Sequence, residues 1–507
     1  MMSARLSHET KDEECGVNRD WLPMGGGKGH PSHCPDAQEY VVDFDGPDDI
    51  LNPQNWPTWT KLYIAVAICS GTFVASFNSA IFAAGSNQAS REFGVSSEVT
   101  TLGTSLFVLG FASGPLVWAP GSELIGRRWP MILGIFGSSI FTIGCAAAKD
   151  IQTLIICRFF AGLFGASPLC VVPAVLADIY NSKYRGMAIS IYALTVFGGP
   201  FLAPFIGAFI TTSYLGWRWT LYLPAISGFF NAAILLLFLK ESFPPFVLIE
   251  KAVNLRRQTG NWAIHAKQER VEFDVNAVIR NYLTRPIRML ITEPIVLLVS
   301  LYMSFIYGLV YALLGAYPYV FESVYEMQPG EANLPFLGLF IGVVLAVLSI
   351  LAQHKSYLQK VQENNGKIVP EWRLPPAMVG GTIFTIGLFW FAWTGFNSDI
   401  HWIVPTAAGV FIGFGVLCIF LPCFNYLVDA YLPMAASVVA SNIMLRSAVA
   451  AGFPLFSKQM FRHLGVQWAG TLLGCLGAVM VPIPVLFWLY GSRLRSKSRM
   501  LMQDSSS

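Results

Sequence analysis

Charged residues are scarce in this chain of 507 residues. Asp, Glu, Lys and Arg make up 12% of the sequence, whereas 54% is hydrophobic and the mean hydropathy is +0.53. A soluble protein has about a quarter of its residues charged, so this composition cannot supply a soluble protein's polar surface. The net charge of +3 gives no indication of nucleic-acid binding. We therefore predict a protein embedded in a lipid bilayer, with no nucleic-acid partner.

The patterns that mark metal, cofactor and disulfide sites are also missing from the sequence. Most of the nine cysteines fall in apolar runs, where a thiol behaves as a small hydrophobic group, and none shows metal-ligand spacing. No histidine-rich box and no nucleophile–base pattern is visible. No cofactor or metal is predicted, and a membrane-bound enzyme is disfavoured. A channel is disfavoured because no ring of pore-lining charges is present.

Long apolar runs account for most of the sequence. Twelve of them have the ~20 residues that a helix needs to cross the hydrocarbon core. They lie at approximately 61–84, 99–119, 130–148, 152–178, 187–212, 217–239, 291–321, 334–354, 375–394, 401–424, 434–457 and 467–490. Barrel strands would alternate strictly over ~10 residues, whereas these runs are continuously apolar. Twelve transmembrane helices are therefore predicted.

A charged, amphipathic stretch at 240–290 divides the twelve runs into six and six. The predicted organisation is an all-α membrane protein with an N-terminal six-helix bundle at 61–239, a central cytoplasmic loop at 240–290 and a C-terminal six-helix bundle at 291–490. Residues 1–60 are polar and lack the apolar core of a signal peptide. They are predicted to form a disordered tail, and residues 491–507 a second tail.

Lys and Arg are distributed unevenly between the two sides of the predicted bundles. Most of them fall in the loops after even-numbered runs and in the C-terminal tail. The opposite loops contain only Arg91, Lys149, Arg218, Lys458 and Arg462. Loops rich in Lys and Arg stay in the cytoplasm. Both termini are therefore predicted to be cytoplasmic, in a multi-pass protein of the cell membrane.

The segment PGSELIGRR, between runs two and three, places a carboxylate, a turn glycine and two arginines at the membrane edge. Gly126 permits a tight turn, and Glu123, Arg127 and Arg128 can reach water there. Asp178 lies near the same edge in run four. We predict a charge network of these groups that latches one conformation and releases in the other. The simpler alternative is that the arginines only fix the topology.

Arg158 is a permanent positive charge deep in the fourth apolar run. A charged side chain at this depth is energetically costly, and such residues usually face a partner, a water-filled cavity or both. We predict a functional role for Arg158. The alternative is a structural arginine capped by backbone carbonyl groups.

The fifth run contains two prolines four residues apart, Pro200 and Pro204. Proline removes a backbone donor and kinks a helix. Gly199 and Gly207 keep the surface of the same run small, which permits a neighbouring helix to pack closely. We therefore predict a kinked helix in close contact with another.

These segments resemble motifs of the major facilitator superfamily, in the form found in fungal drug:proton antiporters with twelve spans. PGSELIGRR resembles the family's loop motif, and CRFFAGLFGASP, which contains Arg158, resembles its span-four motif. GGPFLAPFIGA resembles the span-five motif of antiporters, with Ala203 and Ala208 where glycine is usual. The resemblance covers residues ~45–490. It implies the major facilitator fold, alternating access between two six-helix bundles, and a part for Arg158 in proton coupling.

Polar side chains within the apolar runs indicate a central path. The candidates for substrate contact are Asn78, Tyr192, Tyr307, Tyr311, Asn442 and Arg446. Tyr307 and Tyr311 are four residues apart and share one face of a helix. Few polar anchors in apolar surroundings suit hydrophobic or amphipathic molecules. For any single Tyr or Asn, a packing role is an equally good interpretation.

The sequence thus predicts a proton-coupled secondary transporter, working as a monomer in the bilayer. Its predicted cargo is small hydrophobic or amphipathic compounds, such as drugs, toxins or secondary metabolites, which it exports. The alternative is a proton-linked transporter of a nutrient or polyamine, although a polyamine site would need acidic groups and the runs contain few. No carboxylate lies near the middle of a run, and an arginine does not itself release a proton at cellular pH.

Overall fold

The computed structural model describes residues 40–46, 48–270, 284–364, 369–431 and 434–495. Helices dominate these residues, since only internally bonded backbone is stable in lipid. Ten long helices, numbered α1 to α10 in chain order, are Thr58–Phe93, Ser97–Leu124, Arg128–Ala146, Ile151–Ile179, Ser182–Thr212, Trp219–Phe238, Pro294–Ser323, Phe336–Glu363, Pro375–Thr394 and Ile403–Ala430.

The last apolar helix runs from Ala435 to Met480, and Pro482–Arg495 follows directly. A straight helix of 46 residues would measure about 69 Å at 1.5 Å per residue, more than twice the ~30 Å hydrocarbon core. Gly465 breaks it, with φ 78° and ψ 160°, a conformation that glycine adopts without strain. The chain turns back there, which gives α11 (435–464) and α12 (466–495). Among the described residues, eleven helical stretches are long and apolar enough to cross a membrane, and dividing the last of them at Gly465 gives the twelve helices that the sequence predicts.

Several helices extend beyond the predicted apolar runs. The sequence predicts 61–84 for α1, whereas the helix spans Thr58–Phe93 and ends at Gly94, whose left-handed backbone amide bonds to the Ser90 carbonyl. Hydropathy detects the part of a helix that lies in lipid. The ends are set by capping groups outside it, which a hydropathy pattern does not register.

The helices form two bundles, α1–α6 and α7–α12. In the first bundle, α1 packs against α5 and α6, and α4 packs against α2 and α3; in the second, α10 packs against α8 and α9, and α7 packs against α11. The bundles contact each other chiefly through α2 with α11 and α5 with α8. The side on which α1 begins and α12 ends, together with residues 240–270, is called the loop face below. The turns between α1 and α2 and between α7 and α8 lie on the opposite face.

The end of the N-terminal tail is ordered on the loop face, in contrast to the predicted disorder of 1–60. Val41–Val42 forms a parallel two-stranded ladder with His265–Ala266 of the central loop. Val42 and Ala266 pack there against Ala252. Farther along, Pro53–Asn55 forms a helical turn that contacts α4. Residues 1–39, and the C-terminal tail beyond 495, lie outside the described residues.

Lys251, on the loop helix Pro244–Thr259, holds this tail segment by charge. Its Nζ lies 2.9 Å from the Asp43 carbonyl oxygen, 2.8 Å from the Asp45 carboxylate and 3.6 Å from the Asp49 carboxylate. Backbone amides, first that of Asp45, donate to Asp49 and lower the pKa of its carboxyl. The tail and the central loop therefore form one small module, which we call the tail clip.

Candidate functional site

The two bundles meet deep in the molecule in a packed set of side chains, the central layer: Ser79, Phe197, Tyr307, Tyr311 and Phe420. Ser79 of α1 and Tyr311 of α7 share a hydrogen bond of 2.8 Å. The ring centroid of Phe197 on α5 lies 4.7 Å from that of Phe420 on α10 and 6.0 Å from that of Tyr307 on α7. All five side chains are buried. Because these contacts join the two halves, the space between the bundles is closed at this level.

A cavity lined by both halves lies on each side of the central layer. The loop-face cavity has a volume of about 350 Å³. Apolar residues such as Pro173, Phe424 and Val439 form most of its wall, and Glu123 lies among the charged residues that line the rest. The cavity on the opposite face, with a volume of about 180 Å³, includes the carboxylate of Glu322. The molecule thus has two vestibules separated by one closed layer.

Arg127 lies on the loop-face cavity in an ion pair. Its Nε is 3.3 Å from Asp178 Oδ2, and its Nη1 donates to Ser122 Oγ at 2.7 Å. The guanidinium also lies 4.5 Å from the Phe243 ring centroid. Glu123 is half-buried on the cavity wall and makes no hydrogen bond or ion pair with the described residues. The predicted three-member network therefore has Ser122 in the place of Glu123.

Glu241, directly after α6, completes this turn and was missed by the sequence analysis. Its carboxylate accepts the backbone N–H groups of Arg127 at 2.9 Å and Arg128 at 3.1 Å, at the positive N-terminal end of α3. Gly126 has φ 84°, and a Cβ there would overlap the Glu241 carboxylate. The turn therefore requires glycine for two reasons. The sequence signal for Glu241 is weak, a lone carboxylate after an apolar run.

A second arginine–aspartate pair lies on the loop face of the other bundle. Arg373 Nε is 2.9 Å from Asp429 Oδ2, and its guanidinium lies 4.0 Å from the Tyr357 ring centroid. Nearby, Glu371 pairs with Arg495 at 2.8 Å. The α8–α9 connection thus has the same place in its bundle as the α2–α3 connection. It was missed because it lacks the turn glycine and double arginine that make the first loop recognisable.

Arg158 is fully buried in α4. Its Nη1 donates to the Asn78 carbonyl oxygen at 3.0 Å and to Asn78 Oδ1 at 3.2 Å. The rings of Phe82 and Phe107 lie 4.8 and 4.9 Å from the guanidinium. Asn78 in turn donates to Thr142 Oγ1 at 2.8 Å. Asn78, a candidate for substrate contact, is therefore occupied in holding the arginine.

The proline-containing helix α5 packs closely against α1. A Cβ at Gly199 would lie 2.6 Å from the Phe77 backbone nitrogen, and a Cβ at Gly207 would lie 3.0 Å from side-chain and backbone atoms of α1. Pro200 and Pro204 both lie inside α5. Glycine at these two positions is what permits α1 to lie so near.

The remaining candidates divide into packing residues and central-layer residues. Tyr192 donates to the Leu169 carbonyl at 2.9 Å and so joins α5 to α4. Asn442 donates to Ser300 Oγ at 3.2 Å, within the second bundle. Arg446 lies against the central layer. Among the described residues, no three His, Cys, Asp or Glu side chains come together as a metal site.

Two helical bundles with a vestibule on each face and a closed layer between them define a multi-pass membrane transporter, in which movement of one bundle against the other exposes a central site to each side in turn. The family model of the Major Facilitator Superfamily matches residues 68–454. The chain belongs to this superfamily.

Relatives and solved structures agree with this assignment. The chain is 46% identical, over 94% of its length and 78% of the relative, to the major facilitator superfamily multidrug transporter FLU1 of Candida albicans. It is 44% identical to the citrinin biosynthesis cluster MFS transporter mrr1 of Monascus ruber, over 91% of this chain and 92% of that one. The E. coli xylose transporter XylE, in a partially occluded inward-open conformation, superposes with a TM-score of 0.60 at 17% identity, covering 85% of this chain and 98% of XylE. That similarity shows the fold alone.

Proposed function

We propose that the protein is a proton-coupled transporter that exports small hydrophobic or amphipathic compounds, such as drugs, toxins or secondary metabolites. The observation that carries the proposal is the loop-face cavity. It lies between the bundles and has a largely apolar wall, as a site for apolar cargo requires. The relatives described as a multidrug transporter and a biosynthesis-cluster transporter support this cargo class.

The loop face is the cytoplasmic face in this proposal, and the membrane is the cell membrane. The excess of Lys and Arg on the loop face supports this orientation. One chain contributes both bundles and both vestibules, so a monomer contains a complete path. The protein works by binding and movement, without catalysing a chemical reaction.

The two arginine–aspartate pairs act as latches on the loop face. Arg127 and Asp178 tie the α2–α3 turn to the end of α4, and Arg373 and Asp429 tie the start of α9 to the end of α10. The Arg373 guanidinium also lies 3.3 Å from where a Cβ on Gly186 of α5 would be, so it contacts the other bundle. When the bundles separate on this face, that contact is lost. The latches thereby favour one of the two conformations.

Proton coupling depends on Arg158 in this proposal. Its charge is buried and is compensated by one asparagine rather than by a carboxylate. A buried charge is tolerated only while its acceptors stay in place. Movement of α1, which contains Asn78, therefore changes the electrostatic potential around Arg158 and links its surroundings to the conformation of the bundles.

The test is export from a host that lacks its own drug pumps. The full chain is expressed, and accumulation of a fluorescent apolar dye is measured with and without a protonophore. We expect lower accumulation than in the empty-vector host, and loss of the difference when the proton gradient is collapsed. The matched control is Lys149→Ala, an exposed loop lysine on the opposite face, which should export normally. Accumulation equal to the empty-vector host would rule out export, and export indifferent to the protonophore would rule out proton coupling.

A further inference from the structure

Arg446 is a buried charge without an acceptor. Arg446 is only 1% exposed, and its Nε and Nη1 atoms are buried with no hydrogen-bond partner. Among the described residues, no carboxylate pairs with it. Its neighbours are the rings of Tyr307 and Phe420, 4.6 and 4.8 Å from the guanidinium carbon. Ring faces stabilise a cation only modestly, and they do not satisfy N–H donors.

Arg446 is linked to the loop-face cavity through two stacked rings of α10. Phe424 lines the cavity, and Phe420, one helical turn away on α10, stacks on it with ring centroids 6.0 Å apart. Phe420 then covers Arg446. In the closed state Phe420 is held by Phe197 of the other bundle, so separation of the bundles releases the ring that covers the guanidinium.

The other arginine buried in the membrane, Arg158, is partly satisfied: its Nη1 has acceptors, whereas its Nε and Nη2 are buried with no hydrogen-bond partner. Arg158 has two acceptors from Asn78 in its own bundle. Leaving a charge buried and unpaired is strongly unfavourable. The Nε and Nη1 donors of Arg446 are therefore free for an acceptor that comes from outside the protein. A guanidinium fits a carboxylate best, because two parallel N–H groups can bind both oxygens.

We propose that Arg446 binds an anionic group of the cargo, so that the preferred cargo is an amphipathic organic anion with an apolar body and a carboxylate. The apolar body occupies the cavity next to Phe424, and the carboxylate meets Arg446 once Phe420 has moved. This inference rests on the proposed function, since it names the cargo of that transporter. Organic cations are disfavoured at the same site by charge repulsion.

The test compares three probes with one naphthalene body: 1-naphthaleneacetate as the anion, its methyl ester as the neutral form and 1-naphthylmethylamine as the cation. Binding to the purified full chain in lipid nanodiscs at pH 7 is measured by tryptophan fluorescence. We expect the anion to bind about tenfold more tightly than the cation. Arg446→Gln should weaken anion binding about tenfold, since a charge-assisted hydrogen bond is lost, and should leave the ester within about twofold.

Arg462→Gln is the matched control, because it removes the same charge from an exposed position on the same helix; it should bind all three probes normally. Arg446→Lys keeps the charge without the paired N–H groups, and should retain the preference for the anion over the cation. The order of affinity of the three probes is measured on the wild-type protein, so this part of the test does not depend on the folding of any variant. If the amine bound as tightly as the acid, or more tightly, the inference would be overturned. An equal loss of all three probes in Arg446→Gln, with an unchanged thermal unfolding midpoint, would overturn it as well.

Export of the same probes from cells separates this inference from the proposed function. If the ester and the acid were exported equally well, and both in a protonophore-sensitive way, the export function would be supported and the anion site would be overturned. Tight binding of the acid that depends on Arg446, without export of any probe, supports the anion site and contradicts the export function.

Discussion

The two bundles contain the same kinds of charged group but satisfy them differently. Each has one arginine buried in the membrane region, Arg158 in the first and Arg446 in the second. Arg158 has its acceptors from Asn78 in the same bundle, whereas Arg446 has aromatic rings and no acceptor. Two nitrogens of each guanidinium are buried without a partner, so the difference between the two arginines is the contact of Arg158 Nη1 with Asn78, which has no counterpart at Arg446. In the proposals above, the contact with Asn78 gives Arg158 an internal role, and its absence at Arg446 leaves that arginine for the cargo.

The loop-face pairs differ in a related way. Arg127 has all its partners in the first bundle and its linker: Asp178, Ser122 and the ring of Phe243. Arg373 instead lies against α5 of the other bundle as well as pairing with Asp429. The first pair therefore sets the shape of one turn, and the second is placed to respond to separation of the bundles.

The largest expected effect comes from removing Arg158, the buried arginine that has acceptors in its own bundle. Arg158→Ala should abolish proton-coupled export, a loss of at least about tenfold, because it leaves Asn78 without its partner and removes the only charge at that depth in α4. The measurement is export driven by an imposed pH gradient in vesicles. Arg158→Lys, which keeps a charge, serves as the comparison and should be less impaired. Undiminished pH-dependent flux in Arg158→Ala would remove this residue from the mechanism.

Next in size is the contrast between the two loop-face pairs. Arg127→Ala should lower export several-fold with normal amounts of protein at the membrane, because Asp178 and Ser122 both lose the guanidinium that they contact. Arg373→Ala should lower it less, since the Arg373 side chain is the more exposed of the two, at 17% against 10%, and water can replace part of the lost contact.

Export assays normalised to surface protein would measure this order. If Arg127→Ala exported normally, only the topological role of the arginine would remain. If Arg373→Ala were the weaker exporter, contact between the bundles would matter more than the shape of the α2–α3 turn.

Sequence reasoning reached the fold and part of the site, and the division has a physical cause. Helix number follows from apolar runs of membrane length, and Arg127, Asp178 and Arg158 were found because charge is rare in such runs. Glu241 and Phe420 were missed. A carboxylate that caps a turn from over 100 residues away, or one phenylalanine among 38, has no local pattern, since its role arises only from tertiary packing.

A smaller effect tests how strictly the first bundle's turn is shaped. Gly126→Ala should lower stability by about 1–3 kcal/mol, because a side chain at φ 84° is strained and its Cβ would displace the Glu241 carboxylate. Gly121→Ala, five residues earlier, is the control: no atom lies within 4 Å of its added Cβ, and alanine favours the helix. Thermal unfolding in detergent would measure both. Equal unfolding midpoints would show that the turn tolerates a side chain and that Glu241 does not constrain it.

The smallest effect concerns the tail clip, which contacts the first bundle through the packing of Pro53–Asn55 on α4. Lys251→Ala removes the ammonium that joins Asp45 and Asp49, so residues 40–46 should exchange amide hydrogens faster while export changes by less than about twofold, as expected for partly exposed ion pairs. The backbone amides of Asp45 and Leu51, and to a smaller extent Lys251, lower the pKa of the Asp49 carboxyl below 3.8, so its contribution is complete above that pH and is lost as the pH falls through the lowered value. Amide protection of the wild-type segment should therefore be the same, after correction for intrinsic exchange rates, at pH 7 and pH 5. Unchanged protection in Lys251→Ala would show that the strand ladder with His265–Ala266, rather than charge, holds the tail in place. A difference between the two pH values would show that a group other than Asp49 controls the docking.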